Sequence, residues 1–240
     1  MFSRFPVALC AIVLGICLLL PSVASAATYD DATGENFTGS PGFLDIDSVE
    51  VTNDASTITF KIASASSFAA PNDWGKFLIG VDSVAGGKTD NGTRWDPARP
   101  INMPSGMDYW VDNWLTFGGG AQVWKYDPAN PSAANGFDPT STGSATSVID
   151  ATNTSIALTF PLSAFGLQSG GTFSFDVWGT GGGADSAYDS LRDQDVAAPT
   201  WSGPYSATEL NSYTVVVPEP GTLGLAGIAL LAVARRRSRD

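Results

Sequence analysis

The stretch Asp108-Tyr109-Trp110-Val111-Asp112-Asn113-Trp114 gathers side chains suited to recognising a ligand. In a strand, alternation sends Asp108, Trp110, Asp112 and Trp114 to one side and Tyr109 and Val111 to the other, with same-face neighbours about 6.6 to 6.8 Å apart. Such an acid-aromatic stripe suits a sugar: an indole meets the apolar C–H face of a pyranose, and carboxylates accept hydroxyl hydrogen bonds. The same spacing also suits tryptophans packed under loops with solvated aspartates beside them. Trp95, between Arg94 and Asp96 in a polar loop, and Trp178, near a strand end, join the glycan candidates. Trp74, Trp124 and Trp201 also fall near strand ends or in loops; core packing is the favoured role for any one of them, and a cluster of exposed ones would mark a binding face.

Asp82, Asp90, Asn91 and Asp96 lie in a Gly-rich polar segment. Hard oxygen ligands on a loop suit calcium rather than a transition metal, although their spacing is not that of an EF-hand and ordinary turn formation is the favoured reading. Asp176, Asp185, Asp189, Asp193 and Asp195 form a second acidic group open to both readings. No cofactor is required by the sequence, and calcium is the one its chemistry suits.

The 240 residues contain no histidine, which removes Ser-His-Asp and Cys-His triads and the usual zinc and haem ligands. A formal charge of −12 argues against nucleic acid as a partner. Glycoside hydrolysis needs only two carboxylates. Between the two ends, however, Glu35, Glu50 and Glu209 are the only glutamates and no acid motif repeats, so a non-catalytic protein is expected.

Both ends read as addresses. Arg4, an apolar run from Val7 to Leu20, Pro21 and the triplet Ala24-Ser25-Ala26 form a secretory signal peptide over residues 1–26, cleaved by signal peptidase after Ala26. Its 14 apolar residues rise only about 21 Å as a helix, short of roughly 30 Å of hydrocarbon. Both cysteines, Cys10 and Cys17, lie within it, so the exported part has no thiol chemistry. Residues 218–240 hold Pro218-Glu219-Pro220, a short apolar helix from Leu223 to Ala234 and the cluster Arg235-Arg236-Arg237-Ser238-Arg239. The arginines stay on the cytoplasmic side and halt translocation. This order of parts resembles the bacterial PEP-CTERM sorting signal. The resemblance implies processing by an exosortase, transient membrane anchoring through the terminal helix, and a destination at the cell surface or in the extracellular matrix. A plain tail anchor is the alternative.

Residues 27–217 carry 22 acidic against 7 basic side chains. Their apolar residues recur at every second position: Ile58, Phe60 and Ile62; Phe77, Ile79 and Val81; Ile156, Leu158 and Phe160; Phe173, Phe175 and Val177. Asn53-Asp54-Ala55-Ser56 and Asn153-Thr154-Ser155 mark two hairpins of similar design, and Pro161 to Leu167 suits a short helical turn. Further strands are expected around 106–116, 121–126 and 210–217. The expectation is an all-β, antiparallel two-sheet sandwich of about eight strands, flanked by an N-terminal signal helix and a short C-terminal hydrophobic helix.

The hairpin from Val49 to Ile62, the strand Phe77 to Asp82 with Gly86-Gly87, the stretch Gly106 to Trp110, and Phe173 to Val177 followed by Gly181 to Asp185 resemble the DOMON-like and family-nine carbohydrate-binding-module sandwiches. That resemblance implies two sheets, sugar binding and, in the carbohydrate-binding branch, structural calcium. The expected function is a surface-displayed module binding exopolysaccharide. The alternatives are a structural or calcium-stabilised matrix protein and a secreted glycan-active hydrolase. The expected partners are exosortase, signal peptidase and polysaccharide, with the membrane touched only through the terminal segments.

Overall fold

The computed structural model describes residues 25–35, 41–68, 74–89, 99–116, 119–129, 137–139, 145–182, 185–192 and 200–216. The strands run β1 (Ser25–Asp30), β2 (Ile46–Asn53), β3 (Thr57–Ser64), β4 (Lys76–Asp82), β5 (Ile101–Asn102), β6 (Tyr109–Trp114) and β7 (Gly120–Tyr126). They continue as β8 (Phe137–Pro139), β9 (Thr146–Ile149), β10 (Ser155–Pro161), β11 (Thr172–Thr180), β12 (Asp189–Ser190), β13 (Tyr205–Ser206) and β14 (Asn211–Thr214). One antiparallel sheet has the order β1-β2-β3-β10-β9, and the other β12-β11-β4-β6-β7-β8 with β14 also paired to β11. A short parallel pair, β5 with β13, stands apart from both.

The period-two pattern explains why the sheets face each other. Register places Phe60 between Val51 and Leu158, and Ile62 between Val49 and Ile156, so three strands present one continuous apolar surface. Opposite them, Val81 lies between Phe175 and Tyr109, and Ile79 between Val177 and Val111. All these side chains are buried in one core. Phe60 sits in an aromatic cage, with ring centroids 5.6 Å from Phe175 and 6.3 Å from both Phe165 and Phe173.

Both expected hairpins form, and each closes on an aspartate. Asp54 Oδ1 accepts the N–H groups of Ser56 and Thr57, each at 2.7 Å, holding its carboxyl below the usual range. Asp150 Oδ1 accepts those of Thr154 and Ser155, and Asn153 takes the left-handed conformation at φ 55° that Asn tolerates in turns. The turn expected from Pro161 is a 3-10 helix at Leu162–Phe165.

Fourteen strands among the described residues exceed the eight or so expected: β5, β8, β12 and β13 are too short to show a period, and β1 begins within the segment read as a signal peptide. Ala26 lies inside β1, opposite Thr52, so the expected cut after it leaves Ala27 to Asp30 paired with β2. Ala24 and the rest of the expected signal helix fall outside the described residues, as do Pro218, Glu219, Pro220, Arg235, Arg236, Arg237 and the C-terminal helix. Among the described residues no helix is long and apolar enough to cross a membrane.

Truncating Phe60 at the centre of the cage should cost the most among single core changes. Phe60→Ala should lower unfolding free energy by about 3 to 5 kcal/mol in urea denaturation followed by tryptophan fluorescence, with the m value unchanged.

Candidate functional site

Alternation along β6 holds: Tyr109 and Val111 enter the core between the sheets, and Trp110 joins a separate cluster on the other face. That face is covered. Leu78, Ile101, Met103, Met107, Trp110, Trp178, Ala187, Tyr205 and Ala207 form a second buried apolar cluster, closed by residues 99–107 and 200–210 around the β5–β13 pair. Trp110 and Trp178 are both 0% exposed. Trp110 stacks on Trp124 at 5.7 Å, and Trp178 meets Tyr205 edge-on at 6.4 Å. Gly80 makes room for this layer, since a Cβ there would lie 2.4 Å from the Trp178 ring and 3.0 Å from the Met103 sulfur. The expectation that Trp110 and Trp178 present faces to a glycan is therefore corrected: alternation marks two faces, and the covering segments occupy the one that was expected to be wet.

The other residues of the stripe have structural partners. Asp108 Oδ2 accepts the N–H groups of Ser83 and Val84 at 2.7 and 2.8 Å and so shapes the loop after β4. Asp112, 1% exposed, faces Lys76 Nζ at 3.7 Å. Burial pushes the Asp112 carboxyl up to about 6 against the opposing pull of Lys76 and Arg99. Trp114 is half-buried and lies over Gly120. Trp95 falls outside the described residues.

Beneath the covering segments lies a buried polar network. Asp176 Oδ2 accepts Trp178 Nε1–H and the Ser190 hydroxyl, each at 2.7 Å, and Oδ1 accepts the Val177 N–H at 2.8 Å. The Tyr205 hydroxyl donates to Ser190 Oγ at 2.7 Å, tying β13 to the sheet. Burial raises the Asp176 carboxyl to about 7, although the hydrogen bonds from Ser190, Val177 and Trp178 oppose the rise.

At the end of the sandwich where β11 finishes, Arg99 is wholly buried and donates to Thr180 Oγ1 (2.8 Å), the Asp185 carbonyl (2.9 Å) and the Gly181 carbonyl (3.0 Å). Burial lowers its guanidinium to about 10, so it stays cationic at neutral pH. This clamp fixes Gly181 between two indoles: a Cβ there would lie 3.1 Å from both Trp74 and Trp201, and 2.3 Å from Asp185 Oδ2. Trp74 and Trp201 have centroids 5.8 Å apart at 52°, Phe43 supports Trp74 edge-on at 5.1 Å, and Tyr188 abuts Trp201. Trp74 is 42% exposed, the one exposed tryptophan among the described residues. The sequence placed Trp74 and Trp201 near strand ends or in loops without singling them out; their common signal is a turn-rich setting, Pro71-Asn72-Asp73-Trp74-Gly75 and Pro199-Thr200-Trp201-Ser202-Gly203.

Of the expected calcium segment, Asp82 ends β4, where burial raises its carboxyl while a hydrogen bond with Ser105 lowers it; Asp90, Asn91 and Asp96 lie outside the described residues. A different acidic group does converge. Asp31, Glu35 and Asp189 bring carboxylate oxygens within 4.8 Å of one another. Burial, then the neighbouring carboxylates, push Asp31 up to about 8, and burial outweighs the Ile46 N–H in raising Asp189 to about 9.

Comparison with known proteins adds one finding at the far end of the chain. The PEP-CTERM protein-sorting motif matches residues 216–238. The motif supports an exported protein sorted to the cell surface and implies processing by exosortase during export. It begins where the sandwich makes its last ties: Asn53 Nδ2 donates to the Val216 carbonyl at 3.0 Å, and the Val216 N–H returns to Asn53 Oδ1 at 3.2 Å. No curated protein matches the chain.

The Asp176 network sets a pH dependence. Its folded pKa lies above the ordinary value, so between about pH 4 and 7 the unfolded chain releases this proton while the folded chain retains it. Its contribution to stability is therefore complete at low pH, falls by up to about 1.4 kcal/mol per pH unit, and levels off above 7. Urea denaturation from pH 4.5 to 7.5 should show a shallower decline for Asp176→Asn than for the native protein.

Proposed function

We infer that this exported, surface-sorted protein is a non-catalytic module that binds neutral glycan, and that the site is the Trp74 end of the sandwich. The observation that carries the reading is an exposed indole held rigidly beside a second indole, with the unsubstituted backbone of Gly181 between them and the Asp185 carboxylate adjoining. Sugar rings stack on such surfaces through their C–H faces, and a nearby carboxylate accepts their hydroxyls. Arg99 and Phe43 hold the platform in place before any ligand arrives, which limits the ordering cost of binding. The formal charge of −12 disfavours an anionic polysaccharide.

A binding role without turnover fits the carboxylates. Asp112 and Asp176 have pKa values raised toward neutrality, as a general acid requires, yet they are 1% and 0% exposed and cannot reach a glycosidic bond.

Calorimetry of the full chain against neutral polysaccharides should show binding that Trp74→Ala weakens at least about tenfold while the melting temperature changes little. Trp110→Ala should instead lower the melting temperature, because it opens the second cluster. Absence of binding across a neutral-glycan panel, or undiminished binding by Trp74→Ala, would overturn the reading. Mass spectrometry of protein recovered from the cell surface should find a C-terminus lacking the arginines at 235–237, and an intact Asp240 would contradict exosortase processing.

A further inference from the structure

The acidic group at the sandwich edge is built from three separated pieces of chain. Asp31 follows β1, Glu35 comes four residues later, Asp45 precedes β2, and Asp189 opens β12. β1 ends the order of one sheet and β12 that of the other, so these residues meet where the edges of the two sheets approach. Asp45 Oδ2 accepts the Gly34 N–H at 2.9 Å and fastens the loop that carries Glu35. Glu35 and Asp45 both act on Asp31 and on Asp189 as like charges.

Asp189 supplies an independent sign of a missing ligand. Its side chain is 0% exposed, and its Oδ2 accepts the Ile46 N–H at 2.5 Å. The other oxygen of this carboxylate, Oδ1, is buried and receives no hydrogen bond. A buried carboxylate oxygen without a donor, pressed against like charges, is costly unless a cation completes it.

We propose that Asp31, Glu35 and Asp189 bind a hard divalent cation of the calcium class, with Asp45 positioning the loop, and that the bound ion fastens β1 to β12 across the edge of the sandwich. The donor set is oxygen alone, which selects hard ions over transition metals. Calcium holds its ligands at 2.3 to 2.6 Å, so two oxygens on one ion lie at most about 5 Å apart, and the oxygens here, all within 4.8 Å of one another, are near enough to share one ion. Magnesium demands a near-ideal octahedron at 2.0 to 2.1 Å and dehydrates reluctantly, so a site of several carboxylates suits it less. This site shares no residue with the Asp82 to Asp96 segment.

The test uses the full chain melted in chelator, in calcium and in magnesium. Calcium at about a hundredfold excess over its Kd should raise the melting temperature by about 5 to 10 °C over chelator, with a smaller rise in magnesium. Glu35→Gln and, separately, Asp189→Asn should abolish most of the calcium-dependent rise while melting in chelator no lower than the native protein, because each amide keeps an oxygen acceptor and removes a carboxylate whose charged form the empty site disfavours. Glu35 is half-buried in the loop after β1, unlike the fully buried Asp189, so its variant tests the site even where Asp189→Asn fails to fold. Identical melting in calcium and chelator, a full calcium response retained by Glu35→Gln, or a magnesium response equal to that of calcium would overturn the proposal.

Discussion

The larger sheet is buried on both faces along β4, β6 and β11, and much of the molecule follows from that constraint. Its inner face packs on the smaller sheet through the aromatic cage around Phe60, and its outer face carries the Trp110–Trp178 cluster under the two covering segments. β4 shows the result most directly, since every residue from Lys76 to Val81 is buried. With water excluded from both sides, each polar group on the outer face needs a protein partner. Asp176 finds Trp178 and Ser190, Lys76 finds Asp112, and Arg99 finds Thr180 and the carbonyls of Gly181 and Asp185.

Those partners also determine what the larger sheet leaves open. Its covered faces offer no broad surface, and the one exposed tryptophan among the described residues stands at an end of the sandwich. There the Arg99 clamp converts a glycine-rich strand end into a fixed floor between Trp74 and Trp201. Acidic chemistry moves to the opposite kind of boundary, the paired sheet edges, where residues distant in sequence converge on Asp189. The sorting motif begins at Val216, the last described residue, whose backbone is tied to Asn53.

Residue order alone was enough to assign the long strands other than β1, the two aspartate-closed hairpins and the sorting motif. Each depends on local chemistry: period-two alternation for Phe77 to Val81 and Phe173 to Val177, an acceptor two or three residues before the amides it binds for Asp54, and a fixed succession of Pro-Glu-Pro, apolar helix and arginines at the C-terminus. The short strands β5 and β13 left no such trace, because two residues have no period. The segments containing them read as loops, yet they cover a whole face.

What the sequence determined by itself was therefore which side chains share a face: Asp108, Trp110, Asp112 and Trp114 on one side of β6, with Tyr109 and Val111 on the other. Tertiary structure decided whether that face meets water, which tryptophan remains exposed and which carboxylates converge. The physical reason is range. Alternation follows from the geometry of adjacent peptide units, whereas the burial of Trp110 depends on segments up to about a hundred residues away, and the meeting of Asp31 with Asp189 depends on two sheets closing on each other.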